Sequence, residues 1–256
     1  MRLPVRHPSE LAAMREAGRV VASTLQAVRE AAIPGVRLRD LDQLAQTHLR
    51  EAGATSPFLG YAPAWAPTPF NGVLCLSPNE IVVHGRPNGQ RLRDGDLLSV
   101  DCGAVIDGWN GDAAVTLHIG GATAQDLRLV EATEKALAAG VATAVPGATL
   151  QDVARAVDAV ARGYNFVPLP DHGGHGIGRE MHEPPFVPMQ PMPGYDQYRL
   201  RAGNTIAIEP MLLAGGSDYR TKKDGWSIVT ADKRRAAHVE HSVAVTDDGP
   251  VILTRA

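Results

Sequence analysis

Four carboxylates recur at matched places in two halves of this chain. Leu92-Arg93-Asp94-Gly95-Asp96-Leu97-Leu98-Ser99-Val100-Asp101 aligns with Leu200-Arg201-Ala202-Gly203-Asn204-Thr205-Ile206-Ala207-Ile208-Glu209, 108 residues later. Downstream, Gly111-Asp112-Ala113-Ala114-Val115 resembles Val239-Glu240-His241-Ser242-Val243, which sets Glu240 in the place of Asp112. Upstream, Ile33-Pro34-Gly35 leading to Leu38-Arg39-Asp40 matches Val145-Pro146-Gly147 leading to Leu150-Gln151-Asp152, at an offset of 112. A duplicated fold carries these acids toward a common pseudo-twofold axis. Four acids share a buried centre only when something cationic holds them there, because repulsion and desolvation both oppose the charged forms. A pair of metal ions is the expected partner.

The local patterns support this. Asp101 and Asp112 flank Asp107-Gly108, a hairpin signal, so Asp112 is expected within about two residues of a position opposite Asp101. Like charges on neighbouring strands repel, by about 4 kcal/mol at 4 Å in an effective dielectric near 20. Glu209 is expected inside an apolar strand, Ile206 to Leu212, where a carboxylate is costly unless paired. His175 lies in Gly173-Gly174-His175-Gly176-Ile177-Gly178, whose glycines allow close backbone approach. One imidazole with four carboxylates is a hard, oxygen-rich set that suits Mn²⁺, Fe²⁺ or Co²⁺ better than a thiolate-rich structural zinc. His182 follows His175 by seven residues, the wrong spacing for an HExxH helix. His84 precedes the first copy of the repeat; His172, His238 and His241 receive no role.

The elements that must position these groups read helix, helix, strands, twice over. Apolar spacing predicts a helix from Ser9 to Val28, stopped by Pro34-Gly35, and a second from Leu38 to Ala52. Tyr61–Pro69 reads as a Pro-rich loop. Strands are expected at Gly72–Leu76, Ile81–Val83, Leu97–Val105 and Asp112–Ile119. Helices follow near Gln125–Val145 and Leu150–Arg162, with Asp126 expected at the surface. Strands and loops then run through Gly173–Pro188, Asn204–Leu213, Trp226–Thr230 and Ala237–Val245. The class is α+β, a central antiparallel sheet backed by helices. The chain is expected to form one catalytic domain, residues 1–256, with repeat halves at about 9–120 and 121–254.

Composition narrows the partners. Of 256 residues, 44% are apolar and 21% charged, and the net charge of −3 offers no basic field for nucleic acid. Arg2, Arg6, Glu10, Arg15, Glu16 and Arg19 rule out an apolar signal region in the first twenty residues, and no stretch approaches the roughly 20 apolar residues of a membrane span. Two cysteines, Cys75 and Cys102, make no disulfide framework, which favours a reducing cytoplasm.

Taken together, Asn79-Glu80 with His84-Gly85, Asp101 with Asp112, His175-Gly176-Ile177-Gly178 through His182-Glu183, Ile208-Glu209-Pro210-Met211, and Glu240-His241 resemble the type I methionine aminopeptidases. The resemblance runs from about Ser9 to Thr254. It implies the pita-bread fold, two pseudo-twofold-related halves around a central antiparallel sheet with helices outside. It also implies metal-dependent removal of the initiator methionine from nascent chains whose second residue is small, in the cytoplasm, near the ribosome and as a monomer. By the resemblance Asp101 binds one metal, His175 and Glu209 the other, and Asp112 and Glu240 bridge both. His84 and His182 contact the substrate and the tetrahedral intermediate. Phe70, Cys75, Met181 and Trp226 line the methionine pocket. The 27 residues from His182 to Glu209 leave no room for the insertion of type II enzymes, and no zinc-binding or Pro-rich extension precedes the catalytic part. The long Tyr61–Pro69 loop, Met181 in place of an aromatic residue, and Asp171-His172-Gly173-Gly174 depart from the family pattern; the loop leads directly into Phe70 and Cys75 and is expected at the rim of their pocket. Two rivals are a same-fold peptidase cleaving before proline, and a non-catalytic binding protein of that fold.

Overall fold

A computed structural model of the chain describes residues 3–255. The first half runs α1 (Pro8–Ala31), α2 (Leu38–Glu51), β1 (Leu74–Pro78), β2 (Ile81–Val83), β3 (Asp96–Ile106) and β4 (Trp109–Ile119). The second runs α3 (Ala124–Thr143), α4 (Leu150–Gly163), β5 (Val167–Pro168), β6 (Gly173–Gly176), β7 (Glu183–Pro188), β8 (Thr205–Ile208), β9 (Met211–Leu213), β10 (Tyr219–Thr221), β11 (Ile228–Thr230), β12 (Ala236–His238), β13 (Glu240–Thr246) and β14 (Gly249–Ile252). The main sheet has the order β1-β3-β4-β13-β8-β6-β7, with β14 on β13, and two three-stranded sheets, β10-β11-β2 and β12-β9-β5, lie beside it. All pairings between these strands are antiparallel.

The duplication is visible bond by bond. Before α2, the Gly35 amide donates to the Leu92 carbonyl at 2.8 Å; before α4, that of Gly147 donates to Leu200 at 2.9 Å. Leu92 returns a bond to Val36, and Leu200 to Ala148, both at 2.8 Å. Both glycines sit at positive φ, 97° and 90°, which a side chain at Cβ would resist. Asp96 and Asn204 then each accept from the amide three residues earlier, Arg93 at 2.8 Å and Arg201 at 2.7 Å. One apolar cluster fills each half. Val21, Leu25 and Leu41 of α1 and α2 pack with Leu98 and Val100 of β3, while Leu129, Val153 and Val157 of α3 and α4 pack with Ile206 and Ile208 of β8.

The structure departs from the expectations at three places that matter. Glu209 and Pro210 lie between β8 and β9 and not inside one strand, because Pro210 lacks the N–H a ladder needs. The Trp226–Thr230 strand begins only at Ile228, since Asp224 Oδ1 accepts from the amides of Trp226 and Ser227, both at 2.9 Å, in a turn. Asp126 is not at the surface. It is 4% exposed, completes the capping box of α3 with Thr123, and pairs with Arg235 at 2.8 Å.

Candidate metal centre

The β3–β4 hairpin turns at Asp107 and Gly108, with φ of 50° and 73°, the left-handed pair of a tight hairpin. In this register Asp101 faces Ala114 and Gly103 faces Asp112, so the two acids are diagonal neighbours. Their side chains meet, and Cys75 lies opposite Asp101 on β1. Glu240 opens β13 opposite Ala114, at the seam where the two halves join. Glu209 enters from the end of β8 and His175 from β6. At Gly174 any Cβ would collide with the Ala207 carbonyl, so the glycine beside His175 is what lets β6 lie against β8.

Two compact ligand groups result: Asp112, His175 and Glu240, and Glu209, His238 and Glu240, with donor atoms in each within 4.8 Å of one another. Glu240 belongs to both. His175 Nε2 lies 3.7 Å from Glu209 Oε1. Its Nδ1 is 2.9 Å from the Gly176 carbonyl, which only accepts, so Nδ1 carries the proton and Nε2 offers its lone pair.

Burial pushes the carboxyls of Asp112, Glu209 and Glu240 well above the ordinary carboxylate range, and neighbouring acids add to this at Asp112 and Glu240. Burial also raises Asp101, to about 6, although it and Glu209 keep a partly exposed edge in the cleft. His175 and His84 are held down to about 3, again chiefly by burial. Asp101 Oδ1, Asp112 Oδ1, Glu240 Oε1 and His238 Nε2 are buried without hydrogen-bond partners. Orphaned oxygens beside neutral imidazoles are unfavourable in a closed protein core and favourable around a divalent cation, so the residues present fit a metal.

Asp112, His175, Glu209 and Glu240 of these groups line a cleft of about 440 Å³. Phe70, Cys75, Met181 and Trp226 come together there with Phe58 in one apolar cup. His182 stands over His175, ring centroids 4.4 Å apart, with Tyr61 Oη 3.3 Å from its Nδ1. His84 adopts a left-handed φ of 58° and faces Trp226 edge-on. The Tyr61–Pro69 loop folds over the rim. Trp226 Nε1 donates to the Thr68 carbonyl at 2.8 Å, and Trp65, 60% exposed, stacks on His84. Asn110 Nδ2 donates to the carbonyls of Gly178 and Arg179, at 3.0 Å each, and so steadies the turn that presents Met181 and His182.

All eleven side chains singled out from the sequence line this cleft. Phe58 and His172 also line it without a role read from the sequence, and Tyr61 and Trp65 bring to its rim the Tyr61–Pro69 loop that the sequence expects there. His238 was given no role, yet its Nε2 lies 3.6 Å from Glu209 and 3.8 Å from Glu240. A two-residue period would relate His238 to Glu240 only on one continuous strand, and here the expected Ala237–Val245 strand breaks between β12 and β13. His241 points elsewhere, to Thr254 Oγ1 at 2.9 Å.

A curled antiparallel sheet backed by four helices, with acids and imidazoles gathered at its centre, defines a metallopeptidase of the pita-bread fold. The model of metallopeptidase family M24 matches residues 12–247. Methionine aminopeptidase 1 of Mycobacterium tuberculosis is 47% identical over 98% of this chain and 95% of its own length, and methionine aminopeptidase 1 of Bacillus subtilis is 39% identical over 97% of each. The crystal structure of methionine aminopeptidase from Thermotoga maritima superposes with a TM-score of 0.94 at 36% identity, covering 99% of this chain and 100% of that one. A prolidase from Pyrococcus furiosus shares the fold, with a TM-score of 0.77 at 21% identity over 98% of this chain and 65% of its own. The chain belongs to metallopeptidase family M24 and, within it, to the methionine aminopeptidases.

Proposed function

We propose that this chain hydrolyses the peptide bond after an N-terminal methionine, with two divalent cations held by Asp101, Asp112, His175, Glu209 and Glu240. The observation that carries this reading is the junction, in one cleft, of orphaned buried carboxylates with an apolar cup of Phe58, Phe70, Cys75, Met181 and Trp226. Asp101 would hold one cation, His175 and Glu209 the other, and Asp112 and Glu240 would serve both. The oxygen-rich set favours Mn²⁺, Fe²⁺ or Co²⁺. When bound, such cations lower the pKa of a water to about 7 and polarise the scissile carbonyl.

The chain's own groups do the rest. Phe58, Phe70, Cys75, Met181 and Trp226 bury an unbranched thioether side chain, and the Cys75 thiol stays protonated because burial pushes it up. With Tyr61 donating to His182 Nδ1, the Nε2 of His182 carries the ring proton and can donate it toward charge developing on the carbonyl oxygen. His84 and Trp65 crowd the space beyond the scissile bond, which restricts the second residue to a small one.

The same reading makes residues 1–256 one catalytic domain with halves at about 9–120 and 121–254. The substrate is the N-terminal methionine of nascent chains near the ribosome, met by a monomer in the cytoplasm. Two free cysteines agree with a reducing compartment, and no helix among the described residues is long and apolar enough to cross a membrane.

Assaying Met-Ala-Ser beside an Ala-Pro peptide, with and without chelator, tests the proposal. Release of methionine from the first alone, abolished by chelator, is expected. Preferential cleavage before proline would assign the chain the chemistry of its prolidase-like neighbours.

A further inference from the structure

His238 is 2% exposed, and its Nε2 has no hydrogen-bond partner although two carboxylates face it. The separations, 3.6 Å to Glu209 Oε2 and 3.8 Å to Glu240 Oε2, exceed hydrogen-bond length. They match the 3.7 Å between His175 Nε2 and Glu209 Oε1. Donor atoms each about 2.1 Å from one cation lie roughly 3 to 3.5 Å apart, so these spacings suit groups that close slightly on a shared ion. Glu209 thus presents one oxygen to each imidazole.

The backbone holds His238 in this pose. Its carbonyl accepts from Thr116 Oγ1 at 2.7 Å. That bond uses the only hydroxyl proton of Thr116, so Ser99 must donate in the 2.9 Å contact between their hydroxyls. The His238 amide then donates to both oxygens, at 3.2 Å to Ser99 and 3.0 Å to Thr116. Hydroxyls from β3 and β4 therefore fix the backbone of a β12 residue, and with it the point from which the buried imidazole extends toward Glu209 and Glu240.

We propose that His238 coordinates a divalent cation through Nε2, together with Glu209 and Glu240, as a second imidazole ligand of the centre. This rests on the metallopeptidase reading above. A neutral imidazole adds a donor without adding to the negative charge of four carboxylates. A second nitrogen also shifts the set away from Mg²⁺ and Ca²⁺ and toward Co²⁺ and its first-row neighbours.

Proton NMR of the Co²⁺-loaded protein, in H₂O and then D₂O, tests the assignment. Each coordinated imidazole keeps a proton on its other nitrogen and gives one hyperfine-shifted resonance that vanishes in D₂O. Two such resonances are expected in the parent. One is expected in His238→Gln, with Co²⁺ affinity lower by about 10-fold or more, and His175→Gln identifies the other signal. The parent spectrum needs no variant to fold. A single resonance in the parent, or both retained in His238→Gln, overturns the ligand role. Absence of bound Co²⁺ in the parent overturns the metal reading itself, a distinguishable failure.

Discussion

Ser242 donates its hydroxyl to the Asp112 carbonyl at 2.8 Å and accepts from the Asp112 amide at 3.0 Å. One side chain thereby replaces both ladder bonds at the point where β13 parts from β4, and holds a carboxylate of the first half against Glu240 of the second. Ser242→Ala leaves two buried peptide groups unpaired. We expect a loss of about 2 kcal/mol, seen as a drop of several degrees in Tm. An unchanged Tm would show that the seam does not depend on this hydroxyl.

His182 reaches the cleft beside His175 without sitting within either ligand group. His182→Ala is expected to keep the metal content of the parent while kcat falls about 10²- to 10³-fold, the usual cost of one oxyanion donor. Metal analysis alongside steady-state kinetics checks this. Loss of metal in the variant would move His182 into the coordination sphere.

Much of this was legible in the sequence because it depends on short-range pattern. The duplicated Gly35 and Gly147 turns, the Asp107-Gly108 hairpin and the four acids all follow from turn chemistry and strand alternation. What was not legible depends on contacts between distant segments. The position of the Tyr61–Pro69 loop ahead of Phe70 and Cys75 points to the pocket rim, but not to what ties it there, the bond from Trp226 to Thr68 across 158 residues. Asp126 looked like a surface acid because its partner, Arg235, is 109 residues on. His238 lies on β12, in a different sheet from Glu240, so a two-residue period alone did not reveal that both reach Glu209.

Trp65 stacks on His84 at a centroid distance of 6.4 Å and packs edge-on against Trp226 at 4.9 Å. Trp65→Ala should widen the space beyond the scissile bond. We expect KM for Met-Ala-Ser to rise several-fold and rejection of Met-Leu and Met-Phe peptides to weaken, with metal content unchanged. A Met-Xaa-Ser profile identical to the parent's would make Trp65 a surface residue only.

The pH dependence of metal binding follows from the carboxyl shifts. The folded-state values lie above those of the unfolded chain, so this contribution to stability of the metal-free protein is fully present below the ordinary carboxylate range. It is lost as pH rises through the raised values, about 6 for Asp101. His84 and His175, held down to about 3, act oppositely: their contribution is present above the ordinary 6.5 and lost as pH falls toward 3. Cations require deprotonated carboxylates, so binding releases protons. The rise in Tm on adding Mn²⁺ should therefore grow from about pH 5 to about pH 7. Equal increments across that range would contradict the linkage.

The most direct measurement is hydrolysis of Met-Ala-Ser by metal-stripped protein before and after Mn²⁺ is restored, for the parent, Glu240→Ala and Glu51→Ala. Glu240 belongs to both ligand groups, whereas Glu51 is exposed on α2. Stripped parent should be inactive and recover with metal. Glu51→Ala should recover equally, and Glu240→Ala should remain at least about 10²-fold below them in kcat/KM. Full activity in protein shown by elemental analysis to hold no metal, or equal recovery by Glu240→Ala, would contradict a metal centre built on these carboxylates.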